Sequence, residues 1–154
     1  MKLIFLKTIV VAGILFSFTA CNNDDDNNNE TNISLAELPE ASRNLIESNF
    51  TGATANRVVR KNAADNDGTL YEVWLSNNFE IDFDTNGFWT DIDGNMQQVP
   101  NALIPEAILS YAQANYSSFF IEGIDKETYG FQVEISNDVD LKFNADGTFI
   151  GIEN

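Results

Sequence analysis

The sequence predicts an α+β fold of two tandem helix-plus-four-strand units, an antiparallel sheet with its helices packed on one face. Three observations carry that expectation. Leu38-Pro39-Glu40-Ala41 recurs 66 residues later as Ile104-Pro105-Glu106-Ala107, and Asn49-Phe50 recurs at the same offset as Asn115-Tyr116. Further on the offset is 60: Val73 matches Val133, Ser76-Asn77 matches Ser136-Asn137, Phe83 matches Phe143, Gly87 matches Gly147 and Ile92 matches Ile152. Within each recurrence the apolar spacing passes from helical to alternating, as one supersecondary unit used twice requires. With 154 residues, 44% of them hydrophobic, the chain has material for one core but not for two independent domains.

Residues 1–20 read as a targeting segment. Lys2 and Lys7 supply a positive start, and Thr8 to Phe18 is an apolar run too short to cross a bilayer as a helix of ~20 residues. Ser17-Phe18-Thr19-Ala20-Cys21 resembles a bacterial lipobox, which implies lipidation of Cys21 as the new N-terminus, although Phe18 departs from the usual aliphatic residue. The other reading is cleavage after Ala20 that leaves Cys21 a free thiol, a liability that lipidation removes. Residues 21–34 read as an acidic flexible tether, since Asn22 to Asn32 holds no apolar residue to offset ordering entropy. An acidic run behind a lipidated cysteine resembles the export signal of Gram-negative surface lipoproteins; a merely charged spacer is the alternative. The expected location is the outer membrane of a Gram-negative cell envelope, periplasmic or surface-exposed, with membrane contact through the lipid alone.

The globular part is expected over 35–154, as a first repeat of about 35–94 and a second of about 100–154. Ala41, Leu45, Ile46 and Phe50 form one apolar stripe, as do Ile104, Ala107, Ile108, Tyr111, Ala112 and Tyr116. Pro39 and Pro105 suit a first helical turn, Ser34-x-x-Glu37 offers a capping box, and Gly52 stops the first helix. Strands follow with period two. Tyr71, Val73 and Leu75 oppose Glu72, Trp74 and Ser76, and Phe79, Ile81 and Phe83 oppose Glu80, Asp82 and Asp84. Phe88, Thr90 and Ile92 then oppose Trp89, Asp91 and Asp93. The second repeat follows suit through Phe131 to Ile135, Val139 to Phe143 and Thr148 to Ile152, with earlier strands at Arg57–Lys61 and Phe119–Lys126. Asn77-Asn78, Asn137-Asp138, Asn86-Gly87 and Asp146-Gly147 read as hairpin turns. The change of offset from 66 to 60 places six extra residues in an enlarged loop at 62–68.

Leu38-Pro39-Glu40-Ala41 with Asn49-Phe50, then Tyr71 to Asn77, Glu80 to Asp84 and Gly87-Phe88-Trp89, resembles the PepSY-like, β-lactamase-inhibitor-like family. The likeness runs over about 35–154 in two copies. It implies a secreted or lipid-anchored bacterial protein, a helix-on-sheet fold and a binding or inhibitory role, with no catalytic residues to carry over.

The chemistry on offer is narrow. There is no histidine, which removes Ser-His-Asp and Cys-His catalysis and His-ligated zinc, and the single cysteine excludes an internal disulfide. Eight basic against 24 acidic residues, net −16, speaks against nucleic acid and for a positively charged partner. Asp82-x-Asp84-x-Asn86-Gly87-x5-Asp93 follows calcium-loop spacing, though the flanks alternate as strands and an acidic hairpin is the plainer reading. Asp82/Asp84 and Asp91/Asp93 are paired carboxylates, but an open face offers no apolar wall to raise a pKa, so a carboxylate hydrolase ranks third. Alternation puts Trp74 and Trp89 on the polar face, with Phe149 in the place of Trp89 in the second repeat. These three aromatics, rimmed by carboxylates, are the expected docking surface for a basic or amphipathic protein; the competing reading is local cover of the sheet. The expectation is therefore a non-enzymatic binding or inhibitor-like module with no cofactor, ahead of a calcium-binding surface protein.

Overall fold

The structure, a computed structural model, describes residues 29–153. The targeting segment, Cys21 and most of the tether lie outside the described residues. Nine strands and two helices follow in the order β1 (Glu30–Asn32), α1 (Glu40–Asn49), β2 (Ala55–Lys61), β3 (Tyr71–Leu75), β4 (Glu80–Phe83), β5 (Trp89–Asp93), α2 (Glu106–Asn115), β6 (Ile121–Glu127), β7 (Gly130–Ile135), β8 (Val139–Asn144) and β9 (Phe149–Ile152). All strands join one antiparallel sheet in sequence order, β1 at one edge and β9 at the other.

This corrects the expectation of two tandem helix-plus-four-strand units. The architecture is one nine-stranded antiparallel sheet carrying two short helices of 10 residues each. The physical reason is that β5 and β6 pair directly, Asp91 with Asp125, Ile92 with Ile124 and Asp93 with Gly123. That ladder satisfies backbone groups which a separate unit would expose at an edge. A ninth strand comes from the stretch read as tether. Glu30 pairs with Lys61 and Asn32 with Val59, and Arg57 holds Glu30 at 2.5 Å. Edge pairing uses backbone groups and needs no apolar side chain, so a polar segment can join a sheet. Ile33 then packs against the core.

Register places one apolar row straight across the sheet. Val58, Val73, Ile81, Ile92, Ile124, Val133, Leu141 and Ile152 are successive cross-strand partners from β2 to β9. The helices lie on this side. Ile46 of α1 with its C-cap Phe50, and Ile108 and Ala112 of α2, are buried in the same cluster, with the Phe50 ring 4.9 Å from Phe79 and the Tyr111 ring 5.3 Å from Phe143. Pro39 and Pro105 sit just outside the helices, at their N-caps rather than in the first turn. The Glu37 carboxylate accepts from the Ser34 N–H and hydroxyl, but the motif caps a 3-10 turn at Leu35–Glu37 rather than α1.

The hairpin turns adopt the left-handed backbone their residues favour, at Asn78, Asp138, Gly87 and Gly147. Two of them also touch the helices. A Cβ on Gly87 would lie 2.6 Å from the Pro39 Cβ and 2.7 Å from the Ser42 Oγ, and one on Gly147 would lie 2.8 Å from the Ala107 Cβ. The buried Ser42 hydroxyl donates to the Gly87 carbonyl at 3.2 Å, fastening the start of α1 to the β4–β5 turn.

Candidate functional site

The other sheet face carries a second row, built by the same register. Val59, Glu72, Asp82, Asp91, Asp125, Gln132, Lys142 and Gly151 are successive cross-strand partners. Four carboxylates thus stand side by side on β3, β4, β5 and β6. A neighbouring row runs Arg57, Trp74, Glu80, Asp93, Gly123, Glu134 and Asp140. Paired strands lie about 4.8 Å apart, so like charges along a row meet directly.

Lysines stand toward both ends of the first row. Lys61 bonds Asp65 and reaches Glu72 at 2.5 Å, and Lys142 reaches Glu153 at 2.8 Å. Burial works to lower the Lys61 ammonium pKa, but its bonds to Asp65 and Glu72 outweigh that and raise it. At the centre no cation intervenes. Burial, with Glu72 and Glu80 nearby, pushes Asp82 up to about 7. Asp91 is also raised, first by burial and then by a hydrogen bond to Asp125 and its charge. Two carboxyl groups that share a hydrogen bond hold a proton between them. Glu80 and Glu134 are raised chiefly by burial as well. The Oδ1 of Asp82 is buried and has no hydrogen-bond partner among the described residues. The expectation that this face could not raise a pKa is therefore corrected: neighbouring side chains in the rows exclude enough water to do it.

The three aromatics expected on this face separate. Trp74 is there, with the Arg57 guanidinium 4.7 Å from its ring centroid and its indole N–H bonded to Glu80. Trp89 and Phe149 are on the helix side. The Phe149 ring stacks on Tyr111 of α2 at 4.5 Å, and Trp89 lies 6.3 Å from Phe131, the cross-strand partner of buried Phe143. The reason is a β-bulge in each strand. Asp82 pairs with Asp91 but Phe83 with Trp89, leaving Thr90 surplus; Lys142 pairs with Gly151 but Phe143 with Phe149, leaving Ile150 surplus. One extra residue turns the preceding side chain to the opposite face. Lys126 then covers Trp89, its Nζ 4.1 Å from the ring and donating to the Trp89 carbonyl at 2.6 Å, and burial lowers its pKa.

The calcium-spaced residues do not converge either. Asp84 Oδ1 accepts from the Asn86 and Phe88 N–H groups at 2.8 and 2.9 Å, closing the hairpin turn, and Asp93 Oδ1 accepts from the Asn95 N–H at 2.7 Å. Asp82 points into the carboxylate row instead. Among the described residues no group of three or more such side chains is placed to hold a metal ion. Reading along the strand misses the row because its successive members are 9 to 34 positions apart in sequence and meet only through pairing.

A sheet with helices on one face, and a second, acidic face that no helix among the described residues covers, defines a small scaffold that presents a surface. The chain belongs to the beta-lactamase-inhibitor-like, PepSY-like family, whose pattern matches residues 69–151. It is similar to a solved protein of Bacteroides thetaiotaomicron described as a candidate calcium-regulated periplasmic protein, with 26% identity and a TM-score of 0.72 over 81% of this chain and 97% of that one. It is similar also to a candidate periplasmic protein of unknown function from Bacteroides vulgatus, with 26% identity and a TM-score of 0.74 over 81% of this chain and 99% of that one. A second B. vulgatus protein, also a candidate periplasmic one, has 25% identity and a TM-score of 0.73 over 85% and 99%. No curated protein matches the sequence.

Proposed function

We propose that the chain is a non-enzymatic binding module of the cell envelope, which takes a basic or amphipathic protein partner on its open sheet face. The observation that carries the reading is the row Glu72, Asp82, Asp91 and Asp125, in which burial and crowding hold back the ionisation of the two central groups, Asp82 and Asp91. A cationic side chain laid on the row would let those groups ionise and would give the Asp82 Oδ1 a partner. Trp74, beside the row, supplies the apolar contact. Net −14 over residues 35–154 steers such partners inward. Family membership and the periplasmic relatives support an envelope setting. In this reading Cys21 carries the lipid that holds the module at the outer membrane.

A test uses a synthetic amphipathic peptide of alternating Lys and Leu, titrated while tryptophan emission is followed. Saturable binding, weakened at least about tenfold by Trp74→Ala and by Asp82→Asn, supports the reading. No binding, or binding that neither variant changes, overturns it. A second reading, a response to calcium, is favoured by the description of the B. thetaiotaomicron relative alone, since no group of three or more carboxylates among the described residues is placed to hold the ion. Calcium titration calorimetry that gives heat lost in Asp82→Asn and Asp125→Asn would favour it over the first.

A further inference from the structure

We infer that the β9 edge joins two copies of this chain, strand against strand, about a twofold axis at Gly151. The inference concerns the sheet's edge and is independent of the open face. The apolar row supplies the first ground. Its members from Val58 to Leu141 are at most 5% exposed, whereas Ile152, the last, is 53% exposed. Among the described residues the row is covered at every strand but β9, the edge.

The same sheet shows what a next strand does. Ile92 matches Ile152 in the 60-residue recurrence, and there β6 continues the sheet, Ile124 facing Ile92 with both fully buried. The surplus bulge residues make the same comparison: Thr90 is 6% exposed and Ile150 is 56%. Two exposed isoleucines on one strand face, along an edge that no strand among the described residues pairs, are what a pairing edge presents.

The occupant follows from composition and symmetry. Phe149-Ile150-Gly151-Ile152 holds no charge and no proline, the usual guards of a free edge, in a chain of net −16. A suitable partner strand is uncharged and β-branched, and β9 is itself such a strand. Antiparallel pairing centred on Gly151 sets Ile150 against Ile152 of the second copy and keeps both pairs of helices on one side. Gly151 has open space around its Cβ position. The adjacent Glu153 is already paired with Lys142 at 2.8 Å, so the acid nearest the axis is locally neutralised. Head-to-tail joining to β1 would instead set the isoleucines against Glu30-Thr31-Asn32. Two four-residue edges bury less than a standard interface, so the dimer is weak, with Kd about 10–100 μM. It tightens with salt, which screens repulsion between the two acidic copies.

The test uses residues 29–154, which hold the whole sheet and its core as the solved relatives do. Sedimentation up to about 500 μM is expected to show a monomer–dimer equilibrium. Ile152→Lys should weaken it at least tenfold, roughly 1.4 kcal/mol, while Phe88→Lys, at another exposed apolar site, should leave it intact. Gly151→Cys, the single cysteine in this piece, should form an intermolecular disulfide on mild oxidation, since paired Cα atoms lie about 4.5–5.5 Å apart. Ile152→Lys in the same chain should suppress that crosslink. A chain that stays monomeric throughout, or a dimer indifferent to Ile152→Lys, overturns the inference. So does β9 amide protection that appears only when a foreign extended peptide is added.

Discussion

Replacing Asp82 by Asn keeps the shape of the side chain and removes its charge from the middle of the carboxylate row. The folded carboxyl titrates at about 7 against an ordinary 3.8, so the folded chain holds that proton more tightly than the unfolded one. Stability from this group is therefore complete below about pH 4 and is lost as pH rises through about 7. A difference of about three pH units at 1.36 kcal/mol each gives about 4 kcal/mol as an upper bound at high pH. Water reaching the partly exposed face reduces this to about 2 kcal/mol. Asp82→Asn should accordingly stabilise the protein by about 2 kcal/mol at about pH 7.5, and by only about 0.5 kcal/mol near pH 4, where the wild-type group is already protonated. Urea unfolding followed by tryptophan emission at both pH values measures the two differences. A gain of equal size at both, or a loss at the higher pH, would refute the placement of an unpaired carboxyl in this row.

Gly87→Ala should cost at least about 2 kcal/mol, because the new Cβ meets Pro39 and Ser42 at a backbone of positive φ; thermal unfolding would report it. The buried hydroxyls of Thr69 and Thr90 bond each other at 2.6 Å. Thr69→Val should therefore cost about 1–3 kcal/mol, with the Thr69→Val/Thr90→Val double variant recovering only part of it in a denaturant midpoint comparison, because the Thr69 hydroxyl also donates to Asp67 Oδ2 at 3.0 Å. Tyr111→Ala removes the ring stacked on Phe149 and edge-on to Phe143, and should cost about 2–3 kcal/mol by chemical denaturation.

Helix stripes, hairpin turns and strands were legible because each is a local pattern. Ile46, Phe50, Ile108 and Ala112 face the core as their spacing requires, and Asn78, Asp138, Gly87 and Gly147 turn the chain where their backbone freedom allows. The extra residues at 62–68 do lengthen the β2–β3 connection. Trp89 and Phe149 were misplaced because strict alternation cannot register a bulge, which depends on how the partner strand pairs. Glu30–Asn32 was misread because its polar side chains gave no sign that its backbone would find β2.

Period and turn chemistry, properties of neighbouring residues along the chain, were enough to say which segments form strands and which face of each helix is oily. That β5 pairs with β6, so that one nine-stranded sheet forms in place of two helix-plus-four-strand units, is a choice among long-range backbone partners. The same choice lines up Glu72, Asp82, Asp91 and Asp125, because side chains on adjacent strands become neighbours only once the register between them is set.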